Sequence, residues 1–217
     1  MIDPAGSVGL VPLEGRGTLP LELLHGEPLL VHAVRSLLQT PGLREVLVTT
    51  EGSSFPAAAR ELVSKGLRAE FVEPRRWWTD WASAAGLGQS VLVHDPLCPL
   101  VPADFVGEVL QHSRDLGAVA AYQPITDTAK VVVDGQVVST LDRDQVGLVT
   151  SPVVVPGLLA GQGLPPVSDF GRLADWLRAR GPLALVPAPS MGRRVGGMAA
   201  LRVLECLDQL GRSIEEA

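Results

Sequence analysis

The sequence predicts an α/β fold, built on a mostly parallel sheet flanked by helices, with a β-hairpin arm added to it. Three observations carry that reading. Short β-branched apolar runs alternate with amphipathic helical stretches along 217 residues, the pattern of strands joined by right-handed crossovers. Val91-Leu92-Val93 ends abruptly at His94-Asp95 and a proline-studded loop, as a buried parallel strand does where it brings a carboxylate to its C-terminal edge. Lys130–Leu141 sets two apolar runs around Asp134-Gly135, a strong signal for a two-residue hairpin turn.

The elements follow in order. Strands are expected at Val8–Val11, Glu45–Thr50, Ala69–Val72, Val91–His94, Ala118–Tyr122, Val131–Val133, Val137–Leu141, Gly147–Thr150 and Ala184–Val186. Each is a run rich in Val, Leu or Thr bounded by turn residues. Pro28–Gln39 places Leu29, Leu30, Ala33, Leu37 and Leu38 near one helical face. Phe55–Lys65 opens behind a Ser53/Ser54 cap, carries Pro56 in its first turn and stops at Gly66. Asp104–Leu116 follows Pro102 and stops at Gly117; Phe170–Arg180 stops at Gly181; Gly197–Leu210 stops at Gly211. The hairpin has no helix between its strands and exposes Val131, Val132, Val133, Val137 and Val138. Because an isolated hairpin is marginal in water, this one needs a partner surface, either its own domain or a second subunit. The organisation expected is one domain over residues 1–217, with the arm inside 124–150.

Composition narrows the function classes. Lys+Arg is 18 against Asp+Glu 24, a net charge of −6, and no basic run occurs, which argues against a nucleic-acid partner. Apolar residues make up 46 % and mean hydropathy is +0.25, but no apolar stretch approaches the roughly 20 residues of a membrane span. The N-terminal residues show neither a basic n-region nor a cleavable apolar core. A cytoplasmic location and no membrane partner are the expectation. Cys98 and Cys206 stand far apart, in neither metal-ligand nor redox spacing. His25, His32 and His112 lie in or beside helices with no partner at ligand spacing.

The chemistry concentrates in a few segments. A strand-ending Asp95 suits a magnesium-nucleotide site, although such residues also serve as solvated turn caps. Gly15-Arg16-Gly17 follows the first strand, where backbone amides and a cation can cradle phosphates. His94 precedes Asp95 and, on an alternating strand, points the other way.

Taken together, GLVPLEGRGT (Gly9–Thr18), GEPLLVHAV (Gly26–Val34), VLVHDPLCPLVP (Val91–Pro102), PITDTAKVVVDGQVVSTLDR (Pro124–Arg143) and SDFGRLADWL (Ser168–Leu177) resemble the 2-C-methyl-D-erythritol 4-phosphate cytidylyltransferases. The resemblance runs in order over nearly the whole chain and implies the Rossmann-like nucleotidyltransferase fold. It implies transfer of a cytidylyl group from CTP to a sugar-alcohol phosphate, with Mg²⁺ as cofactor and a homodimer formed through the hairpin arm. Mapped onto this sequence, it makes Pro12, Leu13, Gly15, Gly17 and Asp95 nucleotide-binding and Asp95 the metal residue. It makes Arg16 and Arg194 the catalytic cations. Thr128 and Arg143 become the clamp on the sugar-alcohol phosphate, Arg143 reaching the partner subunit's site through the arm.

The sequence also departs from the family pattern. Leu21 follows Pro20 where the family has a Lys, Cys98 stands at the position of an Arg, and Gly196 replaces a Thr. The family's glycine-rich base-binding segment is here Glu73–Leu87, with Trp77, Trp78 and Trp81. Arg75 or Arg76 substitutes for the family Arg only with a shift in register. The three rings either fill the base pocket or form an interaction patch. Glu14 places a negative charge beside the expected triphosphate, and Ser151-Pro152-Val153 stands for the family's Thr-Pro-Gln. Two readings remain: a divergent nucleotidyltransferase with weakened or altered activity, and a non-catalytic homodimeric relative that binds or regulates.

Overall fold

The computed structural model describes residues 6–50, 55–74, 76–84, 89–159 and 162–215. In chain order the strands are β1 (Ser7–Pro12), β2 (Leu23–Leu24), β3 (Glu27–Pro28), β4 (Leu43–Thr49), β5 (Glu70–Val72), β6 (Val91–Val93), β7 (Ala118–Pro124), β8 (Lys130–Val133), β9 (Gln136–Thr140), β10 (Gly147–Val155) and β11 (Leu183–Pro187). The α-helices are α1 (Leu29–Gln39), α2 (Phe55–Ser64), α3 (Trp77–Ala84), α4 (Ala103–Leu116), α5 (Phe170–Arg178) and α6 (Met198–Glu215). Seven strands form the main sheet in the order β11-β7-β10-β6-β1-β4-β5. Every pairing in it is parallel except those of β10, which runs antiparallel to β6 and to β7.

The strands are apolar on both faces because both faces are covered. Val11, Val48 and Leu92 pack with Leu30, Val34 and Leu37 of α1 and with Val106 and Val109 of α4. Their neighbours Leu10, Val91 and Val93 face the other way, against Trp77, Trp78 and Trp81 of α3 and Leu173 and Leu177 of α5. A smaller cluster of Leu24, Leu29, Leu97, Val195, Leu201 and Leu204 ties the β2–β3 turn and the loop after β6 to α6. At the far end of β10 a side chain on Gly157 would meet the Gln89 carbonyl oxygen at 1.9 Å, so the entry to β6 requires glycine there.

Most of the expected elements are present. Asp134 and Gly135 have φ of +49° and +76°, so the hairpin turn has the geometry of its Asp-Gly signal. Residues 77–84 form a helix whose tryptophans reach the core at helical spacing. Two expectations need correction. Strand β10 continues past Thr150 to Val155, with Pro152 accommodated where the register against β7 shifts between Thr150 and Val153. Helix α6 runs through Gly211 to Glu215. Lys130 donates to Thr140 Oγ1 at 2.6 Å across the hairpin. The expected Ser53/Ser54 cap lies outside the described residues. Among the described residues no helix is long and apolar enough to cross a membrane.

Glu27 accepts two hydrogen bonds from the Arg35 guanidinium, at 2.6 and 3.0 Å, and lies 3.2 Å from Lys65 Nζ. The Arg35 hydrogen bonds, with a smaller contribution from Lys65, hold its carboxyl at about 2, against an ordinary 4.5. A lowered carboxyl contributes stability above its unfolded value and loses it as pH falls through the folded one. Glu27→Gln should therefore cost about 1 kcal/mol at neutral pH. The gap to wild type should close between pH 4.5 and 2, as urea unfolding at stepped pH would show.

Candidate active site

The topology gathers the expected residues at one sheet edge. Strands β1 and β6 are parallel neighbours, with Leu10 opposite Val93, so both deliver their following residues to the same side: Leu13–Arg16 from β1, His94 and Asp95 from β6. The antiparallel β10 brings Thr150 and Ser151 in beside them, since Val153 pairs with Val93. The Val195 amide donates to the Leu97 carbonyl at 2.7 Å, which holds Arg194 over the loop after β6.

Asp95 is the centre, at 2 % exposure. Its Oδ2 accepts from Arg194 Nε at 2.8 Å. Its Oδ1 lies 3.1 Å from Arg16 Nε, with the N–H off-line for a hydrogen bond, and accepts from the Leu97 amide at 3.1 Å. Arg16 also donates from Nη2 to the Ser168 carbonyl at 2.7 Å. Each guanidinium turns its Nε edge to the carboxylate. Two guanidiniums meet on one carboxylate, and the guanidinium fork suits phosphate oxygens. These groups line a cleft of about 410 Å³ together with Glu14, Gly15, Ser151 and Asp169.

Two further cavities adjoin it. One, of about 490 Å³, shares Glu14 and Ser168 and is walled by Trp77, Trp78, Pro74 and the 163–167 loop. The other, of about 630 Å³, shares Val149, Thr150 and Arg194 and runs along α6 to Val203.

The expected residues therefore divide into groups. Arg16, Arg194, Gly15 and Asp95 meet in the cleft. Gly17 turns the same loop with φ of +58° but does not line the cleft. Pro12 ends β1 and Leu13 is tied by its amide to the Thr49 carbonyl at 3.0 Å, both buried. Thr128 and Arg143 stand exposed at the foot of the arm, where Arg143 Nη1 donates to the Thr126 carbonyl at 3.1 Å. Leu21 lies in a single 3₁₀ turn, Leu19–Leu21. The tryptophans are no exposed patch: Trp77, Trp78 and Trp81 are 4, 9 and 7 % exposed, with Trp78 stacked on Trp81 at 5.0 Å. Arg75 lies outside the described residues.

Sequence reasoning missed Ser168, whose carbonyl anchors Arg16, and Ser151. Ser151 fell just past the end assigned to its strand, and no periodicity marks a hydroxyl that works across strands. His94 is fully buried, and desolvation pushes its pKa down to about 4 against a small upward pull from Asp95. Burial pushes the Cys98 thiol up to about 12. The other histidines bond elsewhere: His25 to Asp208 of α6, His32 to the Leu24 carbonyl, His112 to the Glu108 carbonyl. Among the described residues no group of three or more His, Cys, Asp or Glu could hold a metal.

Residues 13–158 match the family model of the 2-C-methyl-D-erythritol 4-phosphate cytidylyltransferases (IspD). The chain belongs to this family. A relative of that name from Chlamydia trachomatis serovar L2 is 32 % identical over 184 residues, 79 % of this chain and 76 % of its own. One from Syntrophotalea carbinolica is 28 % identical over 173 residues, covering 72 and 74 %. The Thermus thermophilus cytidylyltransferase structure superposes with a TM-score of 0.68 at 25 % identity, over 94 % of this chain and 98 % of that one. The Anaerococcus prevotii 4-diphosphocytidyl-2C-methyl-D-erythritol synthase gives 0.78 at 16 % identity, over 96 and 98 %, which speaks for the fold alone. The family match begins just after β1 and covers β2 to β10, and so includes Arg16, Asp95, Thr128 and Arg143 while Arg194 lies beyond it.

The two thiols differ in access: Cys98 is buried and Cys206 exposed. A thiol-specific chromogenic reagent should modify Cys206 in the native protein and Cys98 only after unfolding, because the thiolate is the nucleophile and burial suppresses it. Two equivalents reacting at one rate under native conditions would contradict this packing.

Proposed function

We propose that this chain binds a magnesium nucleoside triphosphate, CTP by family, in the Arg16–Asp95–Arg194 cleft and transfers its nucleotidyl group to a small sugar-alcohol phosphate. Activity is weakened or altered relative to the named relatives. The observation that supports this most is the convergence of Arg16 and Arg194 on the buried Asp95 from opposite ends of the chain. Neither arginine has a local reason to be there. In such a transfer the acceptor phosphate attacks the α-phosphorus in line and pyrophosphate leaves, so the protein's work is positioning and charge stabilisation. Arg16, fixed by Ser168, and Arg194 orient the phosphates and take up their charge. The Gly15 and Gly17 turns, with φ of +70° and +58°, let the main chain approach them.

Magnesium fits on one condition. Asp95 is a single carboxylate whose oxygens are both engaged, whereas this ion is commonly held by one or two carboxylates plus substrate phosphates. Asp95 would hold it only with the nucleotide in place, and the ion would neutralise charge on the phosphates there. The absent Lys at Leu21 and Arg at Cys98 account for the weakened activity, since one lost donor of this kind costs on the order of 10²–10³ in rate. Thr128 and Arg143, at the foot of the arm, act on the phosphate in a partner's site. That role supports a homodimer through the arm, whose Val132, Val133, Val137 and Val138 are all more than half exposed. A cytoplasmic setting goes with this reading.

One observation favours the second reading, a non-catalytic homodimeric subunit: the tryptophans that replace the family's base-binding glycines are locked into the core. Calorimetric titration with CTP, ATP and GTP, with and without Mg²⁺, separates the two. The expected result is CTP-selective, magnesium-dependent binding that is lost in Asp95→Ala, followed by slow turnover with methylerythritol phosphate. No binding of any nucleotide at millimolar concentration would overturn the enzymatic reading.

A further inference from the structure

Ser151 lines the cleft and is joined to a buried histidine. Its Oγ accepts a hydrogen bond from the Asp95 amide at 2.9 Å and lies 2.6 Å from His94 Nδ1. All three residues are at most 2 % exposed, so these bonds have no competition from water. A hydroxyl has one proton to give. With the Asp95 N–H donating to Oγ, the hydroxyl donates its proton to an unprotonated His94 Nδ1, so His94 is the Nε2–H tautomer, its Nε2 having no hydrogen-bond partner among the described residues. The opposite arrangement, Nδ1–H donating to Oγ, would leave the Ser151 proton without a named acceptor. His94 is itself held by its amide, which donates to the Leu10 carbonyl at 2.7 Å.

We propose that Ser151 and His94 are positioning residues for Asp95. Through the chain His94–Ser151–Asp95, strand β10 fixes the backbone at the end of β6 and so the direction in which the carboxylate meets Arg16 and Arg194. The alternation that points His94 away from the cleft is what makes it available for this task. Its ring sits under the strand end, and the serine from the antiparallel neighbour closes the gap between ring and main chain. Outer-shell partners of this kind typically matter to a site by about 10–100-fold.

The affinity part of the test rests on the proposed nucleotide site; the spectroscopic part does not. Ring ¹⁵N spectra of the wild type should show His94 as the Nε2–H tautomer. In Ser151→Ala the ring signals should move, and exchange of the Asp95 amide should rise about tenfold or more, while the His94 amide, bonded to Leu10, stays protected. Magnesium–CTP affinity should fall by about 10–100-fold in Ser151→Ala and return to within about twofold in Ser151→Thr, which keeps the hydroxyl. An Nδ1–H tautomer in the wild type, or unchanged Asp95 exchange in Ser151→Ala, would overturn the positioning. Equal affinity losses in the Ala and Thr variants would reduce Ser151 to a packing role and overturn it too. Failure of the wild type to bind the nucleotide, with the spectra as expected, would remove the functional reading and leave the positioning standing.

Discussion

The site rests on one buried carboxylate shared by two guanidiniums. A charge at 2 % exposure survives only if it is paired and hydrogen-bonded, because desolvation otherwise outweighs the Coulomb gain. The Asp95 carboxylate meets that condition through two arginine Nε atoms and the Leu97 amide, while Ser151 holds its main chain. Removing either arginine leaves the other to carry the pair, while removing Asp95 sets two cations facing each other. The arrangement is therefore asymmetric. The carboxylate is the element on which the rest depends, and the arginines are held edge-on by it.

That carboxylate is where it is because of the sheet order. Two parallel strands, β1 and β6, end at the same edge, and β10, inserted antiparallel between β6 and β7, supplies the polar residues that the parallel strands lack. An all-parallel sheet would send the chain away from this edge at the point where Ser151 now sits. The apolar clusters then lock the peripheral pieces: Val195 and Leu201 pack with Leu97, which brings α6 and its preceding arginine onto the loop that carries Asp95. Fold and site share the same contacts, so site geometry is carried by core packing and not by mobile loops.

Much of this was legible beforehand, and the reasons are physical. Strand alternation, the Asp-Gly turn and the abrupt end of Val91–Val93 are local signals, and they place Asp95 and the hairpin from sequence alone. Gly15-Arg16-Gly17 and Arg194 were legible through the family resemblance, which supplies long-range pairing that periodicity cannot. The remainder is non-local or runs against local preference. Pro152 argued against strand continuation, yet a register shift absorbs it. Gly211 reads as a helix stop, yet α6 passes through it and ends at Glu215. Ser151 and Ser168 contribute a hydroxyl and a carbonyl to groups 57 and 152 residues away in sequence, and no pattern in the chain encodes such partners.

The tryptophan helix bears most directly on what the cleft can accept. Trp77, Trp78 and Trp81 pack with Val8, Leu10, Val91 and Val93 beneath the strands that carry the site. Burying three such rings is strongly favourable, at roughly 150–250 Å² of ring surface each on typical figures. The gain is large enough to tolerate Trp78 and Trp81 indole N–H groups that have no hydrogen-bond partner among the described residues, each at a cost of about 1–3 kcal/mol. A base entering this side cannot displace them without undoing the core. It must use the adjoining cavity, whose walls are Trp77, Trp78, prolines, Leu164 and Val167 beside a few polar groups. An apolar wall discriminates by shape and contact area, and far less by hydrogen-bond pattern. On the proposed reading the phosphate half of the site is therefore built from a buried carboxylate and the two arginines held on it, while the half facing α3 has exchanged glycine-backed recognition for packing. Altered specificity is the physical consequence of that exchange, and lost affinity for CTP is its limiting case.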